Sequence, residues 1–174
     1  MSTVQIINFT PVSDILPIQR RDFPLADPTL ANPLNAVALV DGEWMTLNSS
    51  YQAIRASDVT STSAYASLRC FPLFAERGRY DVQAMSLHKT PLLYRGDYEF
   101  DTRIFALAST QGGAAISTIL QPLTVGTFTI GSRNYVGLIG HDGTSTNLKP
   151  IVGYVTKLPT TNGGQLRFIS GWRS

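Results

Sequence analysis

The residues of this chain able to do chemistry are few and scattered. Two histidines occur, His88 and His141, with a single cysteine, Cys70. "GHDG" at 140–143 sets His141 beside Asp142, and the two histidines with carboxylates could in principle hold zinc. Adjacent strand residues point to opposite faces, however, and no HExxH pattern or Cys/His cluster is present. His141 therefore reads as a turn residue, and no metal site is expected. Serines are abundant, yet no GxSxG elbow supports a Ser/His/Asp triad. Asp97, Glu99 and Asp101 alternate beside Arg95 and Arg103. That spacing puts three like charges on one strand face, which suits a solvated or intersubunit salt-linked face better than paired acid–base catalysis.

Other ligand chemistries fare no better. "GTFTIG" and "TNGGQ" are glycine-containing, but neither matches GxxxxGK[ST] nor leads into a helix, so no phosphate cradle is expected. The 14 basic and 12 acidic residues leave a net charge of +2, and "ERGRY" and "WRS" are too sparse for a nucleic-acid track. "RGD" at 95–97 is explained by a turn between two strands. Trp44, Trp172 and several tyrosines could act as stacking platforms for a sugar, which keeps a carbohydrate-binding module in view. The expectation is a non-enzymatic chain with no catalytic residue, no cofactor and no metal.

The elements that must position these residues are mostly strands. The 174 residues suit one domain with an ordinary core. The composition is 43% hydrophobic and only 15% charged, with Ser, Thr, Gly, Asn and Gln supplying polarity. Such a balance suits a β-rich chain, one whose surface is largely covered by partners. Cys70 in "SLRCFPLF" reads as a buried inert thiol, and a lone cysteine excludes an intrachain disulfide. "MSTVQIINFTPVSD" carries no basic region followed by an apolar core, and about 18 consecutive apolar residues occur nowhere. No signal peptide, no membrane partner and synthesis in a cytoplasm are the expectations.

Five of the ten prolines (Pro11, Pro17, Pro24, Pro28 and Pro33) fall within the first 33 residues. Each fixes its own φ and disfavours helix before it, so residues 1–34 read as an extended arm. The arm is too apolar for a disordered linker and must lie on its own body or on a neighbour. Residues 35–174 read as a single β-rich domain. "AVALVDGEWMTL" carries Asp41-Gly42 between apolar runs, a hairpin signal. Pro72 places "SLRCFPLF" at a sheet edge. Further strands are expected around 82–88, 91–95 and 98–106, where Tyr98, Phe100 and Thr102 alternate with charged residues. No charged residue occurs from Ile104 to Ser132, a run suited to core strands or to a surface buried between protomers. Gly126, Gly131, Gly137 and Gly140 read as turn or bulge punctuation, and "IVGYVTKLPTTNGGQLRFISGW" as a closing hairpin. The fold class is all-β, a β-barrel or jelly-roll-like sandwich behind an extended N-terminal arm.

Several stretches together resemble the head decoration (cement, capsid-stabilising) proteins of tailed bacteriophages. They are "NPLNAVALVDGEWMTL", "FPLFAERGRYDVQAM", "YRGDYEFDTRIFA", "PLTVG" and "VGYVTKLPTTNGGQLRFI", covering roughly residues 33–170. The resemblance implies a virion protein that binds the outer capsid surface and clamps neighbouring major capsid subunits. It further implies self-association, as a homotrimer or else a dimer. The arm residues expected to anchor on the capsid are Ile6, Ile7, Phe9, Ile15, Leu16, Phe23 and Leu25. The expected intersubunit residues are Tyr98, Phe100, Arg103 and Phe105. A phage tail or baseplate β module is the alternative within virions.

Overall fold

A computed structural model describes residues 9–12, 19–31, 38–56, 70–72, 90–95, 99–109, 113–143, 149–160 and 164–170. Among them are eleven strands, one short 3-10 turn at Pro28–Ala31 and no α-helix. The arm supplies β1 (Phe9–Pro11) and β2 (Gln19–Phe23). The body supplies β3 (Trp44–Leu47), β4 (Ala53–Arg55), β5 (Phe71–Pro72), β6 (Thr90–Arg95) and β7 (Glu99–Thr102). Two hairpins follow, β8 (Pro122–Ile130) with β9 (Arg133–Gly140), and β10 (Gly153–Lys157) with β11 (Leu166–Ser170).

Six strands form the main sheet in the order β1-β7-β11-β10-β8-β9. The β8–β9 hairpin dominates it, with eight register pairs from Leu123↔Gly140 to Ile130↔Arg133. Its two-residue loop starts at Gly131, whose φ of 64° suits the first central position of a II′ turn, the kind whose twist matches the flanking strands. The sheet then curls until its ends meet. Residues just beyond β7 reach the free edge of β9, where Leu138 N–H donates to Ile104 O (3.0 Å) and Ala106 N–H to Leu138 O (3.0 Å). Ala114 pairs with Gly140 further along the same edge. The curled sheet and a second, smaller one confirm an all-β, barrel- or sandwich-like architecture.

Gly137 makes this closure possible. A Cβ there would lie 2.3 Å from the Ile104 carbonyl oxygen, which is fixed backbone. Of the glycines at 126, 131, 137 and 140, only Gly131 sits in a turn, and the other three lie within strands at sites of close approach.

A three-stranded sheet, β4-β3-β5, lies across the main one. Alternation along β3 sends Trp44 and Met45 to opposite sides. Trp44 joins Phe100, Leu123, Val125, Leu138, Val155, Leu166 and Phe168 in the main core, its ring centroid 6.2 Å from that of Phe168. Met45 joins Phe23, Leu25, Leu30, Leu39, Ala53 and Leu92 in a second cluster. Pro72 sits in the edge strand β5, where its missing N–H costs nothing.

The Asp41-Gly42 turn forms, but not the hairpin around it. Gly42 has φ 87° while Asp41 stays negative, so the turn is neither the I′ nor the II′ type that a two-residue hairpin uses. Residues 38–40 consequently form no strand, and the N–H of Leu39 turns aside to Leu30 O (2.8 Å). The closing hairpin appears as read, with a bulge between Val155 and Lys157. In β7, Phe100 and Thr102 face inward and Glu99 and Asp101 outward, while the stretch 82–88 lies outside the described residues. The arm is part of the sheets, with Phe9 paired to Thr102 and Phe23 to Thr90.

Gly137→Ala is expected to destabilise the fold by about 3 kcal/mol, the upper end of overpacking, read by urea denaturation. Gly131→Ala has open space around it and should cost only about 1 kcal/mol through its left-handed backbone. Equal costs would refute the closure argument.

Candidate interaction surface

The structure moves several expected contact residues inward. Phe23 (5% exposed) and Leu25 (2%) are core residues of this chain, not protruding anchors. The cause is the β2–β6 pairing together with the bonds of Ala53 N–H to Pro24 O (2.7 Å) and Ala26 N–H to Ala53 O (3.0 Å). Phe100 is wholly buried, 5.8 Å from the Phe168 ring, so the expected intersubunit role is corrected to a core role. The same alternation that keeps β7 amphipathic turns it inward. Phe105 packs against the main core beside Leu138, and Arg103 is exposed. Phe9 pairs within the main sheet. Ile6, Ile7, Ile15, Leu16 and Tyr98 lie outside the described residues, as do His88 and Trp172. Trp44 is 0% exposed and cannot serve as a sugar platform.

The charged groups mostly hold the body together. Arg167 donates twice to the Asp101 carboxylate across β7 and β11, Nε to Oδ1 at 2.9 Å and Nη2 to Oδ2 at 3.0 Å. Of the three carboxylates expected on a salt-linked face, Asp101 is thus paired within the chain, and Asp97 lies outside the described residues. Glu43 is buried and takes Arg55 Nη2 at 3.3 Å and the Val40 N–H at 3.2 Å. Both Arg55 and Arg133 donate to the Ala38 carbonyl, which ties the second sheet to the start of β9. Burial pushes the Glu43 carboxyl above its ordinary value, while Arg55, the Val40 N–H and Arg133 pull it back. His141 is buried, and its Nδ1 accepts the Gly143 N–H (2.9 Å), a turn role. Among the described residues, no three His, Cys, Asp or Glu side chains converge as a metal site would require.

The body also presents apolar side chains, on a sheet face they share with Glu99, Asp101 and Arg167. Ile119 (52%), Leu120 (70%), Ile151, Tyr154 and Ile169 stand exposed on or beside the outer sheet. Tyr154 and Ile169 are register partners and so share one face. The 113–121 segment lies against β10 through Leu120 N–H to Val155 O (2.7 Å). Gln121 braces it, its Oε1 accepting the Ser117 N–H (2.9 Å) and its Nε2 donating to Ala115 O (2.6 Å). Elsewhere Tyr51 tops the β3–β4 loop at 74% exposure. Both Tyr51 (φ 56°) and Leu120 (φ 63°) hold left-handed backbone, at a cost of about 1–2 kcal/mol for a residue with a Cβ. Sequence reasoning missed both. "NSSYQ" carries an Asx-turn signature, whereas nothing local marks Leu120.

Two titratable groups give direct tests. Burial pushes the Cys70 thiol up to about 12, so it should resist alkylation in the native state and react only on unfolding, as followed by mass spectrometry. For Glu43 the folded-state value lies above the ordinary 4.5, so its contribution to stability is full below that value and is lost as pH rises through the raised one. Glu43→Gln should therefore gain on the wild type between pH 4.5 and pH 7 in denaturation experiments. A difference independent of pH would contradict the buried, desolvated carboxylate. Comparison with known proteins finds no matching family model, no matching curated protein and no matching solved structure.

Proposed function

We propose that this chain is a structural virion protein that binds the outer surface of a tailed-phage capsid and stabilises it by clamping neighbouring shell subunits. The observation that carries the reading is the exposed apolar surface built from the uncharged run 104–132 and its neighbours on β10 and β11. Surfaces that meet other proteins are depleted of charge at their centres and rich in aromatic and aliphatic groups. The resemblance of residues 33–170 to capsid decoration proteins supports the same reading. So does the all-β body, a rigid scaffold whose glycine-closed sheet has few ways to deform. In this proposal Ile6, Ile7, Phe9, Ile15 and Leu16 remain the arm contacts with the shell. Phe23 and Leu25 act indirectly, by fastening the arm to the body.

The test is co-sedimentation of the purified chain with expanded empty phage heads, compared with unexpanded ones. Binding to expanded heads and a raised melting temperature of the bound shell are the expected results; a chain left in the supernatant would overturn the proposal. Deleting residues 1–18 should leave the body folded and weaken attachment. Deleting residues 1–31 also removes Phe23, Leu25 and Leu30 from their cluster and should abolish folding, since each such side chain contributes roughly 2–5 kcal/mol.

A further inference from the structure

His141 directly follows the last residue of β9. Its side chain is buried, 4% exposed, and its own N–H donates to Pro122 O (2.9 Å), one step beyond the last register pair of β8 and β9. Its Nδ1 accepts the N–H of Gly143 (2.9 Å). Gly143 holds left-handed backbone, φ 74°, with open space where a Cβ would stand. One side chain thus catches the backbone two residues on, a turn that asparagine and aspartate ordinarily make.

An asparagine would make this turn at every pH, because its carbonyl oxygen always has a lone pair to offer. A histidine makes it only while Nδ1 is unprotonated, so the bond requires the neutral ring with its proton on Nε2. When the ring takes a second proton, Nδ1 becomes a donor and faces another donor, the Gly143 N–H. The bond cannot survive that change. A buried imidazolium also requires a counter-charge. Asp142 Oδ1 lies 3.6 Å from the same Nδ1, on a side chain 42% exposed, and a shift of less than about 1 Å brings it to hydrogen-bond distance. Nδ1 therefore has two alternative partners, one for each charge state of the ring.

The surroundings leave the choice to these groups. β8 and the 113–121 segment, which meet the end of β9 through Pro122 and Ala114, carry no charge. β9 itself has only Arg133, at its opposite end. The stretch leading to β10 adds Lys149, a cation and so no acceptor for the imidazolium. Histidine is also the side chain whose charge ordinarily changes between about pH 5 and about pH 8.

We propose that His141 is a pH-operated latch on the turn that follows β9. In the neutral ring the latch is closed on Gly143. In the imidazolium Nδ1–H donates to Asp142 instead, and Gly143 is released from its left-handed turn. The His141 N–H stays on Pro122 O in both states, since neither group titrates, so the change is confined to residues beyond β9. Mild acidity then resets the shape of one loop without unfolding the body. The latch is independent of shell binding and holds whatever the chain attaches to.

Nuclear magnetic resonance of the isotope-labelled full chain, titrated from about pH 8 to about pH 5, tests it. The Gly143 amide proton is expected to move upfield as its bond is lost, with the same midpoint as the His141 ring signals, while the His141 amide barely moves. His141→Asn keeps an acceptor oxygen near the place of Nδ1 and removes the titration, so its Gly143 amide should stay in the closed position throughout. Asp142→Asn removes the counter-charge and should shift the midpoint to lower pH. His88→Gln should leave the Gly143 titration unchanged. A wild-type Gly143 amide indifferent to the His141 ring would overturn the latch, as would a ring that stays neutral throughout the titration; neither result needs a variant that folds. A Gly143 amide that still titrates in His141→Asn would overturn it as well. An unmoved midpoint in Asp142→Asn would refute the second state.

Discussion

The architecture depends on one backbone contact, the approach of the Ile104 carbonyl to β9 at Gly137. A six-stranded sheet left open would expose the long free edge of β9, a ready template for pairing with other chains. Here the chain leaving β7 bends over and fills that edge with the 104–106 and 114 segments. Closure brings Phe100 and Phe168 on one side of the curl opposite Leu123, Val125 and Leu138 on the other. The resulting trough is what Trp44 occupies. A side chain at position 137 would hold the two ends apart, and the main core would lose its wall.

Trp44 and Met45 then transmit that geometry outward. Because neighbouring strand residues face opposite ways, β3 is buried on both sides and joins two clusters that share no other strand of the smaller sheet as directly. The second cluster takes Phe23, Leu25 and Leu30 from the proline-stiffened arm, which explains the apolar character of that part of it. Its side chains fill the far side of β3. At the rim, Glu43 with Arg55 and Arg133 adds a polar tie at the point where the smaller sheet meets the tip of the β8–β9 hairpin. Buried charge of this kind fixes which surfaces meet more than it adds stability.

The legible parts of the sequence were those whose partner lies close by. The closing hairpin, the alternation of β7 and the strands around Gly131 follow from local periodicity and turn chemistry, and they stand as read. Asp41-Gly42 misled because a dipeptide marks a turn without saying which of its residues takes positive φ. Phe100 and Leu25 misled for another reason. An apolar residue on an amphipathic strand looks the same whether its inward face meets its own sheet or a neighbour, and only long-range pairing decides. Glycine spacing showed that 126–140 was punctuated, but not that Gly137 serves a close approach, because the atom it admits lies 33 positions earlier and only long-range closure brings it there. The exposed apolar residues were least legible, since left-handed backbone at Leu120 is set by its bond to Val155 and by Gln121, neither of which marks it locally.

The pairing of the first strands carries a consequence for how the chain is made. Phe9 finds its partner at Thr102, and Phe23 at Thr90. During synthesis the arm leaves the ribosome long before either partner exists, with its apolar residues uncovered meanwhile. Contacts so distant along the chain are slow to form, because a long loop must close before any burial compensates for it. Strands β1 and β2 are therefore among the last parts that the sheets can complete, and the waiting arm is where a nascent chain is most open to capture by a chaperone or by another copy of itself.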